Sequence, residues 1–406
     1  MASKRRNIVK ILWQADKWLH GLFQQLWVGM LTPRLCHMLI GQAFLGARGR
    51  PPRMSAKRMA RTYAAMARGG RGRRAESLLR MSTPLHKERG TIATITLYLK
   101  ELWSSYLKLL VHLKNEPICR WADAGVTNFA EDVTGFVKYL VDDLEHYEDE
   151  VIQVGAVEAW LARTTIHDHL MDTVIEAIYN VRMPSMSEGL FPQPLMTSGC
   201  TTFLGLTHVG FLNWALNSGA DSTWVLLYSS SCRQDWDDFL EAIVGRGATL
   251  LLVRDADGLV FGFYASQSWH PAPSFYGDKN CFLFTLRPEM NKFEATGYNS
   301  NYQYINADDA NLPKGLGAGG RIGHWGMFLD WKLCLGRVSR TCSTFRGYSP
   351  LTVCQTFRIT GLEVWSTGGT TQEEDGVRAE VLVAPVHAKE TLRSLVGVVE
   401  NPQVVP

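Results

Sequence analysis

The chain has 406 residues, of which 46% are hydrophobic and 20% charged, proportions of a globular protein too long for one ordinary core. Even its most apolar region, 204–216, is short and carries His208 and Asn213, which argues against a membrane-spanning helix. The net charge of +3 conceals an asymmetry: residues 1–100 hold 20 Lys and Arg against Asp16, Glu76 and Glu88, leaving 22 basic and 36 acidic residues for 101–406. Two different kinds of polypeptide are joined. Cys36, Cys119, Cys200, Cys232, Cys281, Cys334, Cys342 and Cys354 show no paired short spacing and follow no secretory signal, so they read as reduced cytosolic thiols.

In chain order, Ile8, Leu12, Ala15, Leu19, Leu22 and Leu26 fall at spacings of three and four, which predicts a helix with one apolar face. Lys4, Arg5, Arg6, Lys10 and Lys17 surround its start. Such a helix suits either an anionic membrane surface or a packed position on the rest of the chain. From 48 to 89 Arg, Gly, Met and Ala dominate; too little apolar surface is available to offset the entropy of ordering, and a flexible basic linker is expected. The same composition fits a mitochondrial transit sequence or a nucleic-acid-binding arm, with neither a cleavage signal nor aromatic interleaving to favour one. Residues 1–90 are assigned to this basic helix and linker.

Helical spacing returns after 91, first in Leu97, Leu99, Leu102, Tyr106, Leu109 and Leu110, then in Phe129, Val133, Phe136, Val137, Leu140 and Leu144. Asn128, with Glu131 three positions on, is expected to cap the second of these helices. Residues 91–183 form an all-helical region on this reading. Beyond Pro184, Pro192 and Pro194, β-prone runs at 224–228 and 248–253 flank a short helix over 235–244, whose first turn is acidic and whose C-terminal cap is Gly245. Gly258 closes a tight turn at 255–258, and 259–265 returns as the partner strand. Further strands are expected at 281–286, 325–333 and 357–365. Strand after strand joined by short turns implies antiparallel sheets packed face to face over 184–368, so the chain as a whole is α+β. A tail follows over 369–406.

The run WVLLYSSS at 224–231, then GRG at 245–247 and DGLVFG at 257–262 with Ala265, Ser266 and Trp269, resembles the opening of the TLD (TLDc) domain family. FYGD at 275–278, CFLF at 281–284, TGYN at 296–299, the glycines at 315, 317, 319 and 320, FLD at 328–330, CSTF at 342–345 and LEVW at 362–365 continue the likeness in order. Tyr298, Asn299, Asn301, Tyr302, Tyr304, Ile305 and Asn306 are most similar to the mTOR-associated lysosomal subfamily, rather than to the oxidation resistance protein. The specific resemblance spans 214–368, and 127–179 is loosely similar.

The resemblance implies a two-sheet antiparallel β-sandwich with short flanking helices, carrying no cofactor, no metal and no accepted catalytic mechanism. It implies a non-enzymatic adaptor that binds peripheral subunits of the vacuolar proton-pumping ATPase, cytoplasmic and peripheral to lysosomal or vacuolar membranes. Links to mTOR pathway components and to oxidative-stress protection come with it. The motif positions make Gly247, Gly262, Gly277, Asp278, Gly297, Asn299, Gly315, Gly317, Gly319, Gly320, Asp330, Glu363 and Trp365 the partner-binding or framework candidates. Two features depart from the subfamily. Its myristoylation signal has Gly at position two, whereas this chain reads Met1, Ala2, Ser3, so that anchor is not expected. The tail from 370 onward does not match, and the basic N-terminal segment is left as the candidate membrane contact.

Other chemistry is weaker. Gly315, Gly317 and Gly320 satisfy G-x-G-x-x-G, but a polar stretch precedes them and no helix follows, so a tight glycine loop that can serve recognition is expected instead of a dinucleotide site. Asp255 and Asp257 begin like a calcium loop, yet Tyr264 stands where the bidentate Glu belongs. His167 and His169 point about 200° apart on a helix and are expected to be solvated. His324 has no ligand at a fixed spacing. A thiol-dependent antioxidant enzyme is the alternative function, with Cys232 beside Arg233 and Cys342 near Arg340 and Arg346 as its thiolates; Cys281 and Cys334 are expected to be buried and inert. Nucleic-acid binding through the basic arm is the other alternative. Glu363 lies on the strand face opposite Leu362 and Val364, either in solvent or buried with a required partner. Ser229, Ser230 and Ser231 lack a nucleophile elbow.

Overall fold

A computed structural model describes residues 27, 29–44, 64–83, 90–144, 151–178, 190–196, 200–217, 222–231 and 235–368. The basic helix expected over 8–26 and the tail 369–406 lie outside these residues. The helices are α1 (Pro33–Phe44), α2 (Arg71–Ser82), α3 (Ile92–His112), α4 (Glu116–Asp123), α5 (Ala130–Asp142), α6 (Val154–Arg163), α7 (Thr165–Ile178), α8 (Leu206–Ala215) and α9 (Trp236–Ile243). None of the described helices is long and apolar enough to cross a membrane. The described residues divide into two units, one drawn from 1–115 and 137–187, the other from 116–136 and 188–406.

The first unit is helical. Thr91 and Thr94 exchange side-chain and backbone hydrogen bonds at the start of α3, satisfying amides that the first turn leaves unpaired. Ile95, Tyr98, Leu102, Tyr106 and Leu109 then bury one stripe of the helix. Residues 71–82 correct the expected linker: α2 is an ordered helix that buries Ala75, Leu78 and Met81 and packs on α6. Its arginine content is part of the reason, because Arg74 reaches Asp168 at 3.1 Å and Asp172 at 3.3 Å. His167 is also corrected, from solvated to buried. Burial raises the pKa of the Tyr98 hydroxyl far above its ordinary value, and this hydroxyl shares a hydrogen bond with His167 Nε2 at 3.1 Å, while Nδ1 faces Asp168 at 3.3 Å. His169 meets the Tyr106 hydroxyl at 3.2 Å.

The second unit carries the strands β1 (Gln193–Leu195), β2 (Thr223–Ser229), β3 (Thr249–Asp255), β4 (Val260–Ala265), β5 (Phe282–Arg287), β6 (Asn291–Glu294), β7 (Gln303–Asn306), β8 (Gly315–Arg321), β9 (His324–Asp330), β10 (Leu335–Arg337) and β11 (Thr356–Ser366). They form one connected path, β6-β5-β4-β3-β11-β10-β9-β8-β7, with β2 beside β11 and β1 beside β2. The path folds at β11: its first residues pair with β10, its last with β3 and β2, and the register shifts between Ile359 and Gly361. Two sheets result, antiparallel except where β1 runs parallel to β2. Leu251, Val253, Phe261, Phe263 and Leu283 of one sheet share a buried core with Leu316, Ala318, Met327 and Leu329 of the other, the arrangement of a β-sandwich. Asp235 caps α9 by accepting from the Asp238 amide at 2.7 Å, and Gly245 follows with φ of +75°, the left-handed conformation that ends helices.

The expected glycine loop is instead strand β8, buried from Gly315 to Gly320 and paired on both edges. Its glycines answer to the aromatic rings opposite. Gly317 pairs with Phe328, Gly262 with Phe284 and Gly336 with Phe357. A Cβ on Gly317 would stand 2.6 Å from the Trp325 ring, and one on Gly262 2.6 Å from the Phe284 ring. A ring from a neighbouring strand thus occupies the place a side chain would fill, which restores buried area to the glycine strand. Asn128, expected as a helix cap, is buried and accepts from the Thr207 hydroxyl at 2.8 Å.

Candidate functional site

Glu363 of β11 is 1% exposed. Its Oε2 accepts from the Thr202 hydroxyl at 2.8 Å and from Trp365 Nε1 at 3.0 Å, and its Oε1 from the Phe203 amide at 2.9 Å. Burial raises the carboxyl pKa, while those three donors and Arg254 pull the other way. Arg254 also lies 5.1 Å from the Phe203 ring centroid. The acid therefore ties the 200–203 segment to the sheet, and Trp365 packs with Trp121 and Trp224 beside it. Of the two settings open to Glu363 from strand alternation, the buried and partnered one is found.

A second buried acid escaped the sequence reading. Asp132, in the first turn of α5, has a fully buried side chain. Arg287 holds it with Nε at 2.7 Å and Nη2 at 2.8 Å, and His208 Nε2 stands 3.2 Å from Oδ1. Burial pushes the Asp132 carboxyl up, but His208 and the Arg287 fork outweigh it and bring the carboxyl to about 2. The Gly205 amide donates to His208 Nδ1 at 2.9 Å, which leaves Nε2 on the side of Asp132. His208 Nε2 lies close to the carboxylate without completing a hydrogen bond, and the Arg287 fork anchors the first turn of α5 to the end of β5.

The remaining motif residues pin turns. Asp278 accepts from the Ser266 hydroxyl at 2.9 Å and the Asn280 amide at 2.7 Å. These and Gln267 outweigh burial and lower its pKa. Asp330 Oδ1 accepts from the Cys334 and Leu335 amides at 3.3 Å. The Gly247 amide donates to Ser268 Oγ at 2.9 Å, and Gly277 turns with φ of +97°. Asn299 and Gly320 meet through Thr344: its hydroxyl donates to Asn299 Oδ1 at 2.9 Å and accepts from the Gly320 amide at 2.8 Å. Asn301 Nδ2 donates to the Gly320 carbonyl at 2.7 Å, and the Thr296 hydroxyl to the Ser343 carbonyl at 2.7 Å. Three loops, 296–301, 320–324 and 340–347, are thereby knitted together. They present Tyr298, which is 83% exposed, and Ile322, which is 44% exposed.

The TLDc domain family matches residues 201–368, the segment that contains the sandwich, Glu363 and these loops. Residues 201–368 form a TLDc domain. The chain is 29% identical to the mTOR-associated protein MEAK7 of Danio rerio over 79% of its own length and 73% of that protein's. It is 34% identical to MEAK7 of Homo sapiens over 43% of this chain and 39% of that one. The nuclear receptor coactivator 7 of Homo sapiens shares 38% identity over 29% of this chain and 12% of its own length. Except for the fish protein, the chain covers well under two thirds of these relatives.

Within the TLDc domain the thiol candidates separate. Cys342 is buried, and burial raises its pKa despite hydrogen bonds around Thr344, the reverse of what a reactive thiolate needs. Cys232 lies outside the described residues. Cys281 is buried with a raised pKa, as its strand context implies. Cys334 is exposed, because it sits in the turn after β9 and not in a strand. Cys200 corrects the reading of every cysteine as a reduced thiol, since it is disulfide-bonded. His324 is exposed, 3.4 Å from the Thr341 hydroxyl. Among the described residues no three His, Cys, Asp or Glu side chains converge as metal ligands.

Proposed function

We propose that this chain is a non-enzymatic adaptor whose TLDc domain docks on peripheral subunits of the vacuolar proton-pumping ATPase at lysosome-like membranes, with a link to mTOR signalling. The observation that carries the reading is the direction of the motif side chains. Glu363, Asp278, Asn299 and Asp330 give their hydrogen bonds to the domain's own loops and strands, and Gly262 and Gly317 accommodate neighbouring rings. A body made rigid in this way offers shaped outer loops for recognition. Likeness to proteins named for association with mTOR supports the signalling link. The acidic balance of residues 101–406 disfavours adsorption to anionic lipid, so membrane proximity comes from the partner or the basic N-terminal segment.

Affinity purification of the full chain from cells in native salt, with pump subunits and mTOR components quantified, tests this. Peripheral pump subunits enriched over an unrelated control of the same size are expected. Their absence from the eluate overturns the pump reading, and absence of mTOR components overturns the signalling link.

A further inference from the structure

We infer that the 296–301, 320–324 and 340–347 loops form a docking surface for an acidic chain segment, and that its resident occupant is the acidic run of this chain's own tail, Glu373, Glu374 and Asp375. The inference does not depend on which partner the domain binds. The loops carry Arg321, His324, Arg340 and Arg346, all exposed, and contain no Asp or Glu. Tyr298 and Ile322 stand exposed among them, and the hydrogen bonds through Thr344 and Asn301 hold the three loops as one surface. Neighbouring acids are already engaged: Glu294 pairs with Lys292 at 3.0 Å, and Asp278 is held by Ser266 and Asn280. An aromatic and an aliphatic side chain in an acid-free basic surround fit a segment with carboxylates next to small apolar residues. The sequence TQEEDGV at 371–377 has that character.

The topology places this segment within reach. Trp365, Leu250, Tyr264, Phe282 and Glu294 form one row across β11, β3, β4, β5 and β6. With four antiparallel pairings between them, β11 and β6 run in the same direction. The chain therefore leaves β11 for the tail at the sheet end where it leaves β6 for the Tyr298 loop. Four strand spacings separate the two exits by about 19 Å. Residues 369–375, fully extended, span at most about 23–25 Å, enough to lay the acidic run on the loops but not much beyond them.

Hydrogen–deuterium exchange on the full chain tests the contact. The wild type is compared with a tail variant, Glu373→Lys with Glu374→Lys and Asp375→Lys, with a loop variant, Arg321→Glu with Arg340→Glu and Arg346→Glu, and with their combination. Tethering at an effective millimolar concentration makes a weak contact populated, so the three loops should exchange roughly 5-fold faster in either single-sided variant. The combination should restore protection, and 1 M salt should mimic the tail variant in the wild type by screening. Exchange at 325–329, inside β9, should stay unchanged and reports the fold. If the loop variant unfolds, the tail variant and the salt series decide alone, because they leave the domain's own residues intact. Equal loop exchange in the wild type and the tail variant overturns the inference. Protection lost on tenfold dilution overturns it too, by assigning the contact to a second copy.

Discussion

Replacing Glu363 with Ala isolates the worth of the buried carboxylate. The Phe203 amide at 2.9 Å and the Trp365 indole N–H at 3.0 Å lose their acceptor, inside a site where Glu363 is 1% exposed. Each unmet buried donor costs about 1–3 kcal/mol, and the vacated volume adds about 1 kcal/mol. The Thr202 hydroxyl, partly exposed, turns to water and adds little. A loss of about 3–7 kcal/mol is expected, of order 6–28 °C in melting temperature for a domain of this size. Glu363→Gln keeps an oxygen for the Phe203 amide but turns an NH2 toward Trp365 Nε1, so it should cost about 1–3 kcal/mol. Urea unfolding followed by tryptophan emission measures both, since Trp121, Trp224 and Trp365 pack together. The midpoint should fall while the slope stays constant. An Ala variant within about 0.5 kcal/mol of wild type, inside the range of neutral surface changes, refutes the clamp. Equal losses for Ala and Gln would show that charge, and not acceptor geometry, stabilises the site.

Asp132→Asn should cost about 3 kcal/mol by breaking a buried pair. Because the folded carboxyl lies at about 2, below its ordinary 3.8, its contribution is present above 3.8 and lost as pH falls through 2; acid unfolding curves of wild type and variant that run parallel would contradict this. Gly317→Ala should destabilise by about 1–3 kcal/mol, since its Cβ meets the Trp325 ring at 2.6 Å, measurable by the same urea titration. In native protein a thiol reagent should label the exposed Cys334 and Cys354 and spare the buried Cys281 and Cys342 until denaturant is added; mass spectrometry of the labelled peptides reads the outcome. Arg74→Ala should speed amide exchange across α2 by roughly tenfold, the equivalent of about 1.4 kcal/mol, because its guanidinium holds the helix to Asp168 and Asp172.

What the sequence made legible was local. The apolar runs at β2, β3 and β4 read directly as strands, and the acidic first turn with Gly245 behind it marked α9. β8 did not, because glycine has no side chain from which to read strand alternation; its partners are rings on β9, supplied by another segment. α2 looked like linker for a related reason. Its few apolar residues are supplemented by Arg74, which finds carboxylates in α7, 98 positions away at Asp172. Glu363 was narrowed to two settings by alternation, and the segment that decides between them begins 161 positions upstream, at Thr202. The Asp132, His208 and Arg287 cluster left no sequence signal, its fork joining residues 155 positions apart.

The residues that carry the family likeness are therefore chiefly those that build the sandwich. Gly262 and Gly317 leave room for neighbouring backbone and rings, and Asp278, Asn299, Asp330 and Glu363 hold the turns and segments around them. Such positions constrain shape without naming a partner. Tyr298 sits between two of them, Gly297 and Asn299, yet points outward at 83% exposure, where packing places no demand on its identity. An exposed tyrosine held on a pinned loop loses little conformational entropy on binding. The loop is pinned by Asn299 through Thr344 to Gly320 on another strand, so the framework fixes where Tyr298 is offered while leaving its chemistry free. Partner choice among proteins that share this domain can then change at such positions without disturbing the sandwich.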